Sequence, residues 1–287
     1  MDYTVPQLQQ KIRLIDYCKQ ELNVVFLSKN AIVKSIKNGE ILLNGQSTST
    51  GAWLKEGDNI KYKQKLDPKY QKVFPLQISV VFEDEHLAII NKPAGYDVSG
   101  NKFQTIQNAL LHNLKISTEE DFLSIPRPVH RLDNQTTGVL VVAKTQSAVI
   151  HLSKQFENRE VSKTYVLICF GAIENDLIIN TAIDELEAET TFIPQQLLLH
   201  KNLGQMTLMY AFPKTGRKHQ IRKHMSSINA SILGDRLYGT YYQKGLFLCA
   251  LGIEFSHPKS GQKLKFELDL PNKFKTIIKH SGTGQEK

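Results

Sequence analysis

His130-Arg131-Leu132-Asp133-Asn134-Gln135-Thr136-Thr137-Gly138 runs directly into Val139-Leu140-Val141-Val142-Ala143-Lys144. The second stretch is short, apolar and rich in valine, the pattern of a buried strand. Gly138 ahead of it permits a tight backbone turn. Asp133 therefore stands on a structured loop at the mouth of a strand, behind a basic pair, His130 and Arg131. A carboxylate flanked by cations can be held ionised and aimed at a substrate. The commoner role of an isolated loop Asp is to cap a turn, so neighbouring motifs must decide between the two.

Working outward, Val80-Val81-Phe82 and Leu87-Ala88-Ile89-Ile90 flank the turn Glu83-Asp84-Glu85-His86 and read as a hairpin. Ala148, Val149, Leu152 and Phe156 form a helical stripe after the Val139–Lys144 strand. Thr164 to Cys169 and Gln205 to Ala211 read as strands, and Ile221, Met225 and Ile228 mark a further helix face. Strands and helices mix without regular βα alternation, which argues against a doubly wound fold. Towards the N-terminus, Leu8, Ile12, Ile15 and Leu22 recur at helical spacing. Ser28 is the expected N-cap of a second helix carrying Ile32 and Ile36 and stopping at Gly39. Ile41-Leu42-Leu43 is a short strand ending in the Asn44-Gly45 turn, and Asn59-Ile60-Lys61-Tyr62 is another. The expected organisation is a small module over 1–65, a linker over 66–76, a catalytic domain over 77–278 and a flexible tail over 279–287.

The chain has 287 residues, 41% hydrophobic and 22% charged, ordinary values for a folded protein with one or two domains. No apolar run is long enough to span a membrane, and the N-terminus lacks the build of a signal peptide. Three dispersed cysteines, Cys18, Cys169 and Cys249, argue for a reducing compartment and against a thiolate metal site. The formal net charge is +8. Residues 1–65 carry ten Lys and Arg against six Asp and Glu, a balance of +4, a bias that suits a polyanionic partner. The nine histidines show no zinc spacing, and there is no Gly-rich phosphate loop of NTPase type. Neither a metal nor a cofactor is implied.

Three other stretches carry chemistry. Asn91-Lys92-Pro93-Ala94-Gly95 reads as a rigid turn presenting a cation. Lys163-Thr164-Tyr165 opens a strand. Thr215-Gly216-Arg217-Lys218-His219-Gln220-Ile221-Arg222-Lys223-His224 feeds a turn into a basic helix N-terminus, a natural phosphate site. Taken with His130–Gly138, these motifs resemble those of the RluA-type RNA pseudouridine synthases, whose signature is H-R-L-D-x-x-T-S-G with Thr137 here in place of the Ser. The resemblance continues through Leu233-Gly234-Asp235-Arg236-Leu237-Tyr238-Gly239, Phe255-Ser256-His257-Pro258 and Leu270-Pro271. Ser28 through Gly45, with Gly57-Asp58, resembles an S4-type RNA-binding module.

The resemblance implies an α+β fold with a mixed, mainly antiparallel sheet core and flanking helices, preceded by the small module. It implies an isomerase that flips a uridine out of structured RNA, ribosomal or transfer RNA, and rejoins it to its ribose through carbon 5. Asp133 becomes the catalytic carboxylate, acting on the ribose or the base. Tyr165 packs on the target base and takes part in proton transfer, and Arg222 pairs with Asp133. Arg131 fills the gap left by the flipped base. His130, Lys92, Thr215, Gly216, Arg217, His219 and Gln220 are the expected substrate contacts. A cytoplasmic monomer, needing no cofactor, completes the expectation. An RNA-binding protein without catalysis would be favoured by loss of Asp133, Tyr165 or Arg222, and all three are present. A nuclease would want clustered metal-binding carboxylates, whereas cations surround Asp133.

Overall fold

A computed structural model of the protein describes residues 2–22, 29–62 and 73–283. The N-terminal part comprises β1 (Asp2–Thr4), α1 (Leu14–Gln20), α2 (Lys29–Lys37), β2 (Ile41–Leu43), β3 (Gln46–Ser47) and β4 (Asn59–Tyr62). Its strands form an antiparallel sheet in the order β1-β4-β2-β3. Leu14, Cys18, Ile32, Ile36, Ile41, Leu54 and Ile60 are buried together beneath it. Asn44 and Gly45 both take positive φ, 51° and 79°, as a two-residue turn between twisted strands requires. The helix expected from the spacing of Leu8, Ile12, Ile15 and Leu22 is shorter than its pattern. Arg13 is extended, with φ −80° and ψ 148°, and Leu14 and Leu54 bond across to Ala52 and Ile12. Leu8 and Ile12 still pack on the same core, so the spacing recorded a buried face that only partly belongs to a helix. Ser28 lies outside the described residues.

The main part contains β5 (Ser79–Glu83), β6 (Leu87–Lys92), α3 (Ile106–Asn113), β7 (Phe122–Pro128), β8 (Thr137–Thr145), α4 (Gln146–Glu157), β9 (Ser162–Phe170) and β10 (Leu177–Ile179). It continues with β11 (Thr190–His200), β12 (Gly204–Pro213), α5 (Gln220–Ser227), β13 (Leu248–Ser256), β14 (Lys263–Glu267), α6 (Asn272–Lys279) and β15 (Ser281–Thr283). Eleven strands make one sheet whose main path runs β10-β11-β12-β9-β13-β8-β6-β5. The fold is α+β, with a mixed, mainly antiparallel sheet. β8 and β13 pair in parallel, while the neighbours β6 and β9 pair antiparallel to β8 and β13 respectively.

The apolar run in β8 is continuous because both of its faces are covered. Leu140 and Val142 pack with Ala88, Ile90 and α3 on one face. Val139, Val141 and Ala143 pack with Leu87, Ile89 and α4 on the other. Thr105 and Thr145 cap α3 and α4, each hydroxyl accepting a backbone N–H from three residues on. β8 and β13 touch at only two residue pairs, Thr137 with Cys249 and Gly138 with Ala250. A Cβ on Gly138 would lie 2.1 Å from the Ala250 carbonyl oxygen, so glycine is required where the two strands meet.

Residues 66–72, most of the expected 66–76 linker, lie outside the described residues. At its end, Phe74 and Leu76 pack on the cluster around α3, and the Phe74 N–H bonds to the Asn108 carbonyl. At the other terminus, Ser281–Thr283 do not form an irregular tail but pair with β11. The amphipathic α6 causes this, since buried Phe274 and Ile277 deliver the chain to that strand.

Candidate active site

A cleft of about 530 Å³ opens where five separate segments converge. The β7–β8 loop contributes His130, Arg131 and Asp133, α4 contributes Phe156, and β9 contributes Lys163 and Tyr165. The β12–α5 turn and the first residues of α5 contribute Thr215 to Arg222, and β13 contributes Leu248. Every site residue expected from the sequence lines this cleft except Lys92.

Lys92 departs from the expectation of a cation presented on a turn. It is fully buried. Its Nζ donates to the carbonyls of Pro93, Asn134 and Thr136 at 2.9–3.0 Å. An ammonium has three donors, and all three are spent on the turn and the loop that carry Asp133. Burial lowers its pKa to about 8, against the pull of the Asp133 and Asp97 carboxylates. Lys92 is thus a positioning residue for the loop. Leu132, buried in the cluster around α3, and the Gly95 N–H bonded to the Asn134 carbonyl pin the loop from either side. Lys92→Met should lower stability by roughly 1–3 kcal/mol, because three carbonyls lose their donor. It should also lower kcat, since the Asp133 loop loosens. Urea unfolding and single-turnover assays on the same preparation test this. A variant as stable and as fast as the parent would reduce Lys92 to a space-filler.

The Asp133 carboxylate is mostly covered, its side chain 16% exposed. Oδ2 lies 3.7 Å from Arg222 Nη1, and Oδ1 lies 3.8 Å from His219 Nε2. These are ion-pair rather than hydrogen-bond distances. The tight partner of Arg222 is Asp235: Nε and Nη2 donate to Oδ2 and Oδ1, both at 2.7 Å. This two-pronged pair fixes the guanidinium plane and turns the remaining amino group toward Asp133. Asp235 in turn accepts the N–H groups of Leu237 and Tyr238. Burial opposes both charges, yet the mutual bonds prevail and raise the Arg222 pKa while lowering that of Asp235. Asp235 and Tyr238 were not among the site residues expected, although the Leu233–Gly239 motif contained them. The Tyr238 hydroxyl lies 2.8 Å from His219 Nδ1, and its ring lies under the Arg222 guanidinium. His219 itself takes φ 57° ahead of α5, a left-handed backbone that is costly for a residue other than glycine. It carries the imidazole into the cleft.

Tyr165 lies on β9 between Ala211 of β12 and Ala250 of β13. Burial, reinforced by the Asp133 charge, raises its pKa. The phenol is therefore neutral at physiological pH and able to give or pass on a proton. His130 is not the cation the sequence suggested. Burial drives its pKa down to about 3, and the neutral ring accepts the Val141 N–H at Nε2 while stacking on Phe156. It anchors the Asp133 loop to β8. Gln220 is likewise committed: its Oε1 accepts from Thr215 and Arg217, and its Nε2 donates to Glu189 and Thr190. Thr215 and Gln220 therefore stiffen the turn, whereas Gly216, Lys218 and Arg131 are exposed at the rim. Arg217 directs its Nε to the Glu187 carbonyl. Among the described residues, no group of three or more His, Cys, Asp or Glu side chains is placed to hold a metal ion.

The chain matches the RNA pseudouridylate synthase family over residues 86–227. It is 31% identical to an uncharacterized RNA pseudouridine synthase of Aquifex aeolicus, over 87% of this chain and 88% of that one. It is 34% identical to the ribosomal large subunit pseudouridine synthase D of Xylella fastidiosa, over 74% of this chain and 67% of the relative. With the ribosomal large subunit pseudouridine synthase C of Vibrio vulnificus the identity is 30%, over 95% and 94%. In three dimensions it is similar to human RNA pseudouridylate synthase domain containing 1, with a TM-score of 0.59 at 20% identity. That alignment covers 72% of this chain and 89% of the human one, and shows a shared fold.

Proposed function

The chain belongs to the RNA pseudouridine synthase family, and on that premise we propose how its cleft performs the isomerisation and on which RNA. The reaction breaks the bond from uracil N1 to the ribose and forms one from carbon 5. The carbon-5 proton leaves, N1 gains one, and no electrons are exchanged with a redox partner. A base held in a stack cannot present these atoms, so the uridine must be extruded into a pocket. Asp133 is the catalytic carboxylate. Arg222 faces it with a fixed positive charge at 3.7 Å, whereas burial lowers the His219 pKa and leaves that imidazole beside it as a neutral neighbour. Tyr165 packs on the uracil face, and its neutral phenol handles the proton exchanged at the base. Arg131, exposed beside Asp133, occupies the space the base vacates. Gly216, Arg217 and Lys218 form a basic rim for the flanking phosphates, on a turn that Thr215 stiffens from beneath. The observation that carries this reading is the convergence of Asp133, Tyr165, His219 and Arg222 on one cleft from segments up to 89 positions apart.

The relatives named for the ribosomal large subunit favour ribosomal RNA over transfer RNA as the substrate. The N-terminal part, which resembles an S4-type module, supplies RNA affinity and none of the reacting groups. Incubating the purified protein with large-subunit ribosomal RNA and, separately, with transfer RNA, then mapping pseudouridine, tests the assignment. Conversion is expected at discrete uridines of the ribosomal RNA. Conversion confined to transfer RNA would overturn the choice of substrate.

A further inference from the structure

The N-terminal part presents a surface that the cleft does not use. Two extended segments run antiparallel there, tied by Leu14 N–H to the Ala52 carbonyl at 2.8 Å and Leu54 N–H to the Ile12 carbonyl at 3.0 Å. Arg13 lies opposite Trp53. Side chains alternate across such a pair. Leu14 and Leu54 turn into the core, at 0% and 4% exposure. Lys11, Arg13, Trp53 and Lys55 turn outward and are all exposed. Three cations therefore surround the chain's sole tryptophan. The Arg13 guanidinium lies 5.1 Å from the indole centroid, yet Trp53 remains 53% exposed. The nearby Asp58 carboxylate is engaged by the Lys55 N–H and the Asn44 amide.

We propose that Arg13 and Trp53, flanked by Lys11 and Lys55, form a stacking site for an unpaired base of the RNA substrate, separate from the catalytic cleft. The inference rests on the reading that this enzyme acts on RNA. An indole held in place by a guanidinium offers a rigid π-surface, and every nucleobase has a matching face. The two lysines on the same face suit the phosphates on either side of that base. An acidic protein surface would use the cations but leave the indole without purpose.

Because Trp53 is the only tryptophan, its emission reports on this site alone. Titrating the full-length protein with substrate RNA should quench that emission saturably, and added salt should weaken the effect. Trp53→Ala should raise KM about tenfold (~1.4 kcal/mol), with kcat within about twofold of the parent. Trp53→Phe should recover most of the affinity, since a phenyl ring still stacks, and matching thermal unfolding of the two variants separates stacking from folding. Unchanged emission at saturating RNA would overturn the proposal, as would equal quenching by polyglutamate. A Trp53→Ala enzyme with the parent KM that still makes pseudouridine removes this site and leaves the proposed function intact. Failure of the parent chain to make pseudouridine would instead remove the reading on which the site rests.

Discussion

Asp133→Asn is expected to abolish pseudouridine formation while leaving RNA affinity within about tenfold of the parent, ~1.4 kcal/mol. Asparagine matches aspartate in size and removes only the charge. The loop around residue 133 does not depend on that charge. Lys92 holds it through the Asn134 and Thr136 carbonyls, and Leu132 is buried beneath it. The variant should therefore fold normally. Nor is Arg222 left as an unpaired buried cation, because its two-pronged pair with Asp235 persists. What is lost is the carboxylate that lies between Arg222 and His219. An amide is neither a nucleophile nor a base at neutral pH, so a loss of at least ~10³-fold in rate is expected, on the order of 4 kcal/mol of transition-state stabilisation. Single-turnover assays with excess enzyme, paired with RNA binding at one fixed salt concentration, measure both halves. Substantial product from Asp133→Asn would sink the assignment of the catalytic carboxylate.

Arg222→Lys carries the second-largest effect and falls on stability as well as rate. Lysine keeps the positive charge but loses the planar fork. It cannot bond both oxygens of Asp235 and also face Asp133. We expect activity to fall about 100-fold or more, ~2.7 kcal/mol, and unfolding free energy to fall by roughly 2 kcal/mol, since a buried pair is weakened rather than broken. Its pH dependence adds a separate check. Arg222 holds the Asp235 pKa below its ordinary value against the opposing effect of burial. A carboxylate depressed in this way stabilises the fold above its unfolded-state pKa, and that contribution disappears as pH falls through the folded-state value. The parent should therefore lose stability on the acid side more steeply than Arg222→Lys. Identical rates and identical acid unfolding curves for the two proteins would show that the fork is dispensable.

These expectations could not all be drawn from the chain alone, and the division follows the range of the forces involved. Strand periodicity, the Asn44-Gly45 turn and the doubly buried Val139–Ala143 run were legible because each is set by neighbours a few positions away. The motifs also marked the residues that line the cleft. The Leu8–Leu22 spacing misled because burial against one core imposes similar intervals on a helix and on the extended strand leading into it. The tail misled because pairing of Ser281–Thr283 depends on an edge supplied by β11, some eighty residues earlier.

By itself the sequence determined the family, the α+β class, the reaction and the segments from which the cleft is built. Tertiary structure alone decided what those residues touch. Lys92 looks like a displayed cation until the chain returns 42 and 44 positions later with the carbonyls that absorb its protons. His130 looks like half of a basic pair until Phe156 and the Val141 N–H enclose it as a neutral ring. Arg222 looks like a partner of Asp133 alone until Asp235 takes two of its three nitrogens. In each case the residue type is local information, whereas its charge state and orientation depend on the solvent removed and the partners brought in by distant segments.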